Sequence, residues 1–509
     1  PPPVVPGGRI VYGLEAETGG GWCLPESLLA TSGITVARAV YDTLTVPNED
    51  GAYVPWLAES VEPNADFTSW TITVRPGVTF HDGSALTADV VKRNLDAYRG
   101  AYEGRSPVLF RFILEDISAV EVVDELTVRV DMTAPWSTFD AHLFSSGRLG
   151  MMAQAQLDDP DTCDRQLIGT GPFVFGEWVP NDHLTVVRNA GYWATDPDGD
   201  ALPYLDEIEF RPVVEPSQRV NAIEAGQLDV LQTHEEIAAL RDLAEAGVVS
   251  VVESDQFSEV DYLLLNSSRP PFDNIHARLA VAHAIDRETM IEVRLDGIAA
   301  TANGPFSPDE PGHLEDSGLP SFDLDRAREE VALYEQETGQ PLEFTISHGN
   351  REAAALNAQF TREMLEQAGM TVNLPSGGTE QAQYISDAIA GNFQLMGWRN
   401  HAGPSPDTEY VFWHSGSPAN FGRIADPEID RLLDAGRASG DAAERDGVYA
   451  DLNRRFAEQV YNVWTHHVPW AVASDPDVHG VYGPPLPDGS AASPGLALGH
   501  PLLGLWIEQ

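Results

Sequence analysis

Positive charge is the scarcest property of this chain of 509 residues. Lysine and arginine together number 30 against 79 aspartates and glutamates, which gives a formal net charge of −49, and Lys92 is the single lysine. A field of that sign repels nucleic acids and anionic membrane surfaces, so no nucleic-acid partner is expected. The acidity indicates a strongly solvated surface, suited to a salty medium or an arginine-rich proteome, and does not by itself define a cationic ligand.

Catalytic and nucleotide-binding signatures are also missing from the sequence. A Walker A loop needs Gly-Lys-Ser/Thr, and Lys92 is followed by arginine. There is no Gly-x-Ser-x-Gly elbow, and His234 begins His-Glu-Glu-Ile-Ala, not the His-Glu-x-x-His zinc motif. No apolar run is long enough to span a bilayer. The sequence favours a non-enzymatic protein. A secreted hydrolase, the alternative of another class, would need a nucleophile, a base and oxyanion donors in one pocket.

The richest pattern that is present occupies residues 70–91. Apolar and polar side chains alternate from Trp70 to Val74, which predicts a half-buried strand. Pro-Gly and Asp-Gly turns follow, and Thr87 stands at the N-cap position of a helix. Further short patterns follow in order along the chain: Gly169–Phe173, Arg188–Trp193, Pro203–Ile208, Leu263–Asn266, Arg278–Arg287 and Asn420–Leu433.

Together these patterns resemble the signature of the family 5 extracellular solute-binding proteins, the peptide, nickel and opine receptors of ABC importers. Each pattern is short, but their order holds over nearly the whole chain. The resemblance implies an α/β, two-lobed periplasmic-binding-protein fold of type II, in the large class with an extra subdomain inserted in lobe I. The expected segments are a flexible tether at 1–8, lobe I at 9–44, 168–262 and 475–509, the inserted subdomain at 45–167 and lobe II at 263–474.

The resemblance also implies a function. The chain would be an extracytoplasmic receptor that captures a peptide or peptide-like small molecule in an interlobe cleft and delivers it to an ABC permease in the membrane. A monomer without a cofactor is expected, held as a cell-surface lipoprotein or in the periplasm through a removed N-terminal segment. Receptors of the same fold for an oligosaccharide, an opine or a chelated metal are the alternatives within the family.

Two loops supply the candidate ligand-binding residues. The loop after the first strand offers Glu15, Glu17 and Trp22, and Asn266 is added from the Leu263–Asn266 pattern. The candidates of the second loop are Trp398, Arg399, Asn400, His401 and Asp407. Aromatic side chains supply apolar contact area in such sites, and the few polar groups fix the orientation of the ligand.

The second loop departs from the family pattern. In peptide-binding relatives it looks like Trp-x-x-Asp-x-x-Asp-Pro, and the first aspartate pairs with the α-ammonium group of the ligand. Here His401 takes that place and Ser405 replaces the second aspartate, so recognition of a free peptide N-terminus is not expected there. Arg399 offers a fork for a carboxylate. Structural roles stay open: Trp398 packed in a core, Arg399 paired with an acid, and the two glutamates of the first loop as solvated charges.

Cys23 and Cys163 are the only cysteines. Two cysteines in an exported chain suggest one disulfide. In the resembled fold both residues lie in the first lobe, which is compatible with a bridge between them. Two buried free thiols are the alternative.

One acidic stretch has the 1, 3, 5 and 12 spacing of an EF-hand calcium loop. Its calcium ligands would be Asp196, Asp198, Asp200 and Glu207. The sixth position is not glycine, and Pro203 interrupts the loop. An acidic surface turn without a metal is therefore the alternative to a structural Ca²⁺ site.

Overall fold

The computed structural model of the chain describes residues 3–18, 20–400 and 403–508. The chain forms two compact units. Unit 1 consists of Pro1–Ser258, Gly403–Ser405 and Pro469–Gln509, and unit 2 consists of Glu259–Ala402 and Pro406–Val468. The chain thus enters unit 2 at residue 259, where 263 was expected, and finally returns to unit 1 at 469, where 475 was expected. Within the described ranges, no helix has both the length and the apolar composition needed to cross a membrane.

Strands and helices alternate along the chain. In chain order the strands are β1 (Arg9–Leu14), β2 (Thr45–Pro47), β3 (Tyr53–Pro55), β4 (Ala58–Pro63), β5 (Ser69–Val74), β6 (Ile117–Val122), β7 (Thr127–Met132), β8 (Phe173–Val179), β9 (His183–Arg188), β10 (Glu207–Pro212), β11 (Val230–Thr233), β12 (Ser250–Ser254), β13 (Val260–Leu265), β14 (Ala300–Thr301), β15 (Glu343–Ser347), β16 (Thr371–Asn373), β17 (Leu395–Arg399), β18 (Asn462–His467), β19 (Trp470–Ser474), β20 (Val478–His479) and β21 (Trp506–Ile507). The α-helices are α1 (Thr31–Val40), α2 (Ala88–Tyr98), α3 (Phe110–Ile113), α4 (Phe139–His142), α5 (Gln154–Asp158), α6 (Pro216–Glu224), α7 (Ile237–Glu245), α8 (Ile275–Ala284), α9 (Arg287–Arg294), α10 (Leu324–Thr338), α11 (Glu352–Gln367), α12 (Gln381–Ala390), α13 (Tyr410–Trp413), α14 (Pro427–Ala438) and α15 (Ala442–Gln459).

A seven-stranded sheet forms the centre of unit 1, in the order β12-β19-β11-β1-β10-β9-β8. β1 pairs in parallel with both β10 and β11, and the other pairs are antiparallel. The central place of β1 suits its composition, because Ile10 and Tyr12 are fully buried. Since β1 and β11 are parallel neighbours, their carboxyl ends at Leu14 and Thr233 lie at the same edge of the sheet.

The pattern at residues 70–91 belongs to a second sheet of unit 1. This sheet has four antiparallel strands in the order β4-β5-β7-β6. The alternating side chains Trp70, Ile72 and Val74 of β5 are at most 3% exposed, which confirms the predicted half-buried strand. α2 begins directly after Thr87, as predicted, although the Thr87 hydroxyl makes no capping hydrogen bond.

Unit 2 is built on a six-stranded sheet in the order β14-β18-β13-β17-β15-β16. β13 lies antiparallel to β17 and β18, while β15 lies parallel to β16 and β17. α8, α10 and α11 contribute to the hydrophobic core, in which the rings of Phe272 and Phe344 meet edge to face with centroids 4.9 Å apart. The predicted α/β class is therefore confirmed in each unit.

Cys23 and Cys163 form a disulfide within unit 1, as predicted from the resemblance. The bridge joins residues separated by 140 positions, and no free thiol remains in the chain. Arg105 lies beside it, with Nη1 3.2 Å from Cys23 Sγ and Nε donating to the carbonyl of Leu157 at 2.8 Å. Arg105 thus links the bridge to α5.

Candidate ligand-binding site

Glu15 directly follows β1 at the edge of the unit 1 sheet. Its Oε1 atom accepts hydrogen bonds from Thr233 Oγ1 at 2.8 Å and from the backbone N–H of His234 at 3.3 Å. Both donors stand at the end of β11, the parallel neighbour of β1. The sheet topology therefore brings together residues that are 218 and 219 positions apart in the sequence.

A buried arginine partly compensates the negative charge at this edge. The side chain of Arg219, on α6, is 1% exposed, and its Nη2 lies 3.5 Å from Glu15 Oε1 and 2.9 Å from Glu235 Oε2. Its Nη1 donates to two backbone carbonyls at 2.9 Å. We call these five residues the Glu15 cluster: Glu15, Arg219, Thr233, His234 and Glu235. Two carboxylates share the guanidinium of Arg219 in this cluster.

Glu15 is ionised at neutral pH. Burial raises its pKa, but His234, Arg219 and Thr233 together outweigh burial through charge and hydrogen bonding, and the pKa is lowered to about 2. His234 also packs against Trp470 of β19, with ring centroids 4.8 Å apart. The cluster is therefore a fixed carboxylate backed by aromatic packing, an arrangement suited to holding a cationic group.

The other two candidates of the first loop have local partners. Glu17 accepts hydrogen bonds from the backbone N–H groups of Thr18 at 2.8 Å and Asn181 at 2.5 Å. Trp22 is 1% exposed and packs edge to face against Trp178, with ring centroids 5.9 Å apart. Glu17 therefore shapes the loop. Trp22 is a core residue, which is at odds with the ligand-facing role expected from the sequence.

The Glu15 cluster is a poor metal site. Among the described residues, Glu15, His234 and Glu235 form the one group of three whose potential donor atoms lie within 4.8 Å of one another. Arg219 already contacts both carboxylates, and a metal ion would lie beside this buried guanidinium. Repulsion between the two cations disfavours the metal. The arrangement suits polar recognition better than coordination.

The acidic stretch does not adopt the geometry of a calcium loop. Oδ1 of Asp196 accepts hydrogen bonds from the backbone N–H groups of Asp198 and Asp200 at 2.9 and 2.8 Å, and its Oδ2 accepts from a tyrosine hydroxyl at 2.7 Å. Glu207 pairs with Arg9 at 2.9 Å. The carboxylate of Asp196 thus belongs to a turn and that of Glu207 to an ion pair, and among the described residues these four acids do not form a group whose donor atoms lie within 4.8 Å of one another. This geometry favours the alternative, an acidic turn, and calcium binding at these residues stays a prediction.

Three polar candidates of unit 2 are buried and organise the protein itself. Asn266 donates to two carbonyls of the turn before β17, at 3.0 and 3.1 Å. Asn400 accepts from a backbone N–H of β13 and donates to the carbonyl of Pro305 at 2.6 Å. Asp407 has a fully buried side chain and accepts from Nε of Arg437 at 2.8 Å. These contacts explain the three residues without a ligand.

Trp398 differs from these residues because it is only partly buried. Its ring lies nearly parallel to that of Tyr384, with centroids 6.0 Å apart, and meets Phe421 edge to face at 5.3 Å. Arg399, the next residue on β17, pairs with Glu259 at 3.0 Å, which is the alternative left open by the sequence. We call Tyr384, Trp398 and Phe421 the Trp398 surface. It offers a broad aromatic area of the kind that ligand sites use.

Several residues of these two groups carry no recognisable sequence signal. Arg219, Thr233 and Tyr384 stand in no motif, and only the pairing of β1 with β11 and the packing of α12 bring them into place. Strand ends in α/β sheets often carry binding groups. This rule could have pointed to Thr233, because Thr233 is the last residue of the buried strand β11. His401 lies outside the described residues, so its predicted role stays a prediction.

Two of the patterns that carried the resemblance meet at a buried carboxylate in unit 1. Asp42 accepts hydrogen bonds from Thr170, Tyr192 and Trp193 at 2.9 to 3.1 Å, and from Trp56 at 2.9 Å. The glycines on either side of position 170 are needed as well, because a side-chain carbon there would collide with the backbone of the last turn of α1. These patterns therefore help to build unit 1.

Comparison with known proteins places these features in context. The family model of bacterial extracellular solute-binding proteins, family 5 Middle, matches residues 52–423. The glutathione-binding protein GsiB of Pectobacterium atrosepticum is 28% identical over 433 residues, which cover 82% of this chain and 80% of that protein. The family match thus spans most of both units.

Solved structures of binding proteins share the fold over the full length. The protein AgaA from A. tumefaciens R10, in complex with agropinic acid, has a TM-score of 0.84 at 23% identity, with 99% of both chains covered. The protein DppA from Helicobacter pylori, in complex with the peptide STSA, has a TM-score of 0.84 at 21% identity, again with 99% of both chains covered. At these identities the likeness establishes a periplasmic-binding-protein fold.

Proposed function

Because the chain belongs to the bacterial extracellular solute-binding proteins of family 5, we propose that it is the receptor that captures a peptide-like solute outside the cytoplasm for an ABC permease. Proteins of this family bind small solutes and work with such permeases. This receptor acts as a monomer and releases its solute chemically unchanged. Family membership supports the receptor role, and the residues described above support the ligand class.

The partly exposed Trp398 is the observation that carries the ligand assignment. It stands on β17 in a segment that retains the tryptophan of the family pattern, and Tyr384 and Phe421 hold its ring in place. A pre-positioned aromatic surface contacts apolar side chains or extended backbone of a ligand without a large cost in conformational entropy. Such a surface favours a peptide-like molecule over a small hydrated ion.

The polar part of recognition falls to the Glu15 cluster. Its carboxylates exceed its guanidinium in number, and Glu15 is ionised at neutral pH. The position that carries aspartate in peptide-binding relatives is His401 here. The Glu15 cluster is therefore the anionic partner for an ammonium group of the ligand, in place of that aspartate.

The named relatives bear on the ligand class. GsiB is named for glutathione, DppA was solved with the peptide STSA, and AgaA was solved with agropinic acid. The chain is as similar in structure to AgaA as to DppA, with a TM-score of 0.84 in each case. An opine of the agropinic-acid type is accordingly the second candidate ligand.

A thermal-stability screen tests the proposal. Di- to tetrapeptides, glutathione and agropinic acid are each added to the purified protein, and a ligand at about 100 times its Kd adds about 2.7 kcal/mol to the free energy of unfolding. We expect a saturable gain with a peptide or glutathione, and mass spectrometry should recover that ligand unchanged. Stabilisation by agropinic acid alone would favour the second candidate, and turnover of the ligand would contradict the receptor role.

Blocking experiments then test the polar assignment. If the Glu15 cluster binds an ammonium group, N-acetylation of the best peptide should weaken its binding by about 1.5 to 3 kcal/mol, the contribution typical of a hydrogen bond to a charged group. Equal affinity for the free and acetylated peptides would contradict that role while leaving the receptor assignment intact.

Lipid anchoring stays a prediction. Labelling of the protein with a radioactive fatty acid in the native host checks it.

A further inference from the structure

A cavity of about 70 Å³ lies within unit 1, in a part of the molecule that the proposed function does not use. It is bounded by the second half of α1, by the segment around β2 and by the C-terminal residues 484–503. Most of its walls are apolar. The lining residues that matter here are Arg38, Asp42, Trp56, Phe144, Ala492 and Leu498.

Arg38 is the one arginine among the residues that line this cavity. Its Nη1 donates to the backbone carbonyls of Leu498 and Gly499, both at 2.8 Å, and its guanidinium lies over the ring of Phe144 at 5.7 Å from the centroid. Among the described residues, no carboxylate oxygen forms an ion pair with Arg38, and its other N–H groups have no hydrogen-bond partner. Burial lowers the pKa of Arg38 to about 10, so the side chain is still charged at neutral pH.

The two rings beside Arg38 do not supply a negative charge. The Tyr12 hydroxyl lies 2.8 Å from Nε2 of His500, and burial holds the pKa of this tyrosine well above its usual value. Burial, together with Arg38, lowers the pKa of His500 to about 3, so both rings are neutral. Asp42 also lines the cavity, but its two oxygens already accept four hydrogen bonds from hydroxyl and indole donors.

The guanidinium of Arg38 is only partly buried, and its N–H groups without a protein partner are available to an anion. We propose that the cavity is a second ligand site, which binds a small monocarboxylate of the size of formate or acetate on the guanidinium of Arg38. The guanidinium matches a carboxylate geometrically, since two N–H groups can face its two oxygens. The size also fits, because one water needs about 10 to 15 Å³ of such a cavity and 70 Å³ therefore accommodates a few non-hydrogen atoms.

The bound anion would hold together segments that are distant in the sequence. α1 carries Arg38, and the carbonyls at 498 and 499 that share its guanidinium belong to the C-terminal segment. Filling the site should therefore stabilise unit 1 without involving Trp398 or the Glu15 cluster. Ligand binding by the receptor and anion binding in this cavity are then separable.

The test uses the whole protein and titrates sodium formate or sodium acetate at constant ionic strength, with sodium gluconate as the balancing salt. Gluconate is too large for the cavity, so it reports general screening of the acidic surface. We expect a saturable rise in melting temperature with formate or acetate and a saturable effect in ¹³C-formate saturation-transfer NMR. If formate and acetate change the melting temperature of the wild-type protein only as much as gluconate does, the proposal is overturned.

Variants identify the site. Arg38→Gln keeps an amide donor for the neighbouring carbonyls but removes the charge, and Ala492→Leu fills the cavity while leaving Arg38 intact. Each should weaken the apparent formate affinity by roughly tenfold or more. The matched control is Arg287→Gln in unit 2, because Arg287 also donates to a carbonyl and burial also lowers its pKa. Unchanged formate affinity in a folded Ala492→Leu protein, or an equal loss in Arg287→Gln, would contradict the assignment even if Arg38→Gln does not fold.

Discussion

Glu15 in unit 1 and Glu310 in unit 2 are both buried carboxyl groups, yet their pKa values move in opposite directions. Burial is the largest influence on each and raises both. Around Glu15, His234 and Arg219 contribute enough charge and hydrogen bonding to lower the pKa to about 2. Around Glu310, the hydrogen bonds from Ser307 are outweighed by burial and by neighbouring acids, and the pKa rises to about 8.

Burial acts in the same direction on both groups, so the difference between them comes from their neighbours. Unit 1 holds a fixed carboxylate at the end of β1, the group that the proposed function assigns to a ligand ammonium. Unit 2 keeps Glu310 protonated at neutral pH and offers the Trp398 surface. In the proposed function, charge recognition belongs to unit 1 and apolar contact to unit 2.

The largest expected effect concerns the disulfide, which constrains unit 1 while unit 2 contains no cysteine. The double variant Cys23→Ser, Cys163→Ser should destabilise unit 1 by about 5 kcal/mol in the chain-entropy model of a loop this long. Hydrogen exchange read by mass spectrometry reports each unit separately. We expect faster exchange in the β1 and β8 peptides and little change in β13. An equal loss in both units would contradict a constraint local to unit 1.

Glu310→Gln should stabilise unit 2 at alkaline pH. The pKa of Glu310 is raised from 4.5 to about 8 in the folded state, so its contribution is complete below pH 4.5 and is lost as the pH rises through 8. The variant should be more stable than wild type by about 5 kcal/mol at pH 9 and nearly equal to it at pH 4.5. Exchange of the β13 and β18 peptides measures this gain, and the exposed Glu329→Gln is the control. A gain that is independent of pH would refute the assignment.

Glu15→Gln should act in the opposite sense, on unit 1 and at acid pH. Its folded pKa is lowered from 4.5 to about 2, so its contribution is present above pH 4.5 and is lost as the pH falls towards 2. The variant should be less stable by about 2 to 3 kcal/mol at pH 7 and should converge with wild type near pH 2. Chemical denaturation at these two values checks the convergence. A constant difference would mean that Glu15 acts through packing alone.

The smallest change in the free energy of unfolding is expected for Trp398→Ala, which should act on binding and leave the fold intact. Loss of an aromatic anchor weakens binding by about 1 to 4 kcal/mol. Isothermal titration of the peptide found in the screen gives this value, and circular dichroism checks the fold. Phe112→Ala is the matched control. Phe112 is a partly buried aromatic residue of unit 1, and the guanidinium of Arg111 lies over its ring. Wild-type affinity in Trp398→Ala would remove the Trp398 surface from the site.

The fold was more accessible from the sequence than the site, and particular residues show why. The strand at Trp70 and the helix after Thr87 follow from local periodicity and turn residues, and the structure confirms both. Periodicity needs only neighbours in the sequence. The Glu15 cluster depends instead on the pairing of β1 with β11 across more than 200 residues, which local patterns do not encode.

Chemical type alone also did not show which polar residues the fold itself uses. Asn266, Asn400 and Asp407 have the donors and acceptors of a binding site, but each is buried and satisfied within unit 2. The EF-hand spacing that begins at Asp196 likewise selects residues with suitable ligand atoms. One carboxylate oxygen of Asp196, however, accepts hydrogen bonds from backbone N–H groups of the same turn. Spacing reports which groups are present, whereas only the fold decides what those groups contact.

Hydroxyl-radical footprinting of the protein with and without the peptide found in the screen is the most direct measurement of the proposed receptor role. It reads oxidation of Trp398 and Tyr384 in unit 2 and of His234 in unit 1 in a single sample, with Phe112 as the internal reference. We predict that saturating peptide lowers oxidation of all three while leaving Phe112 unchanged. Protection of other residues, with Trp398, Tyr384 and His234 oxidised as in the free protein, would contradict the proposed ligand-binding residues.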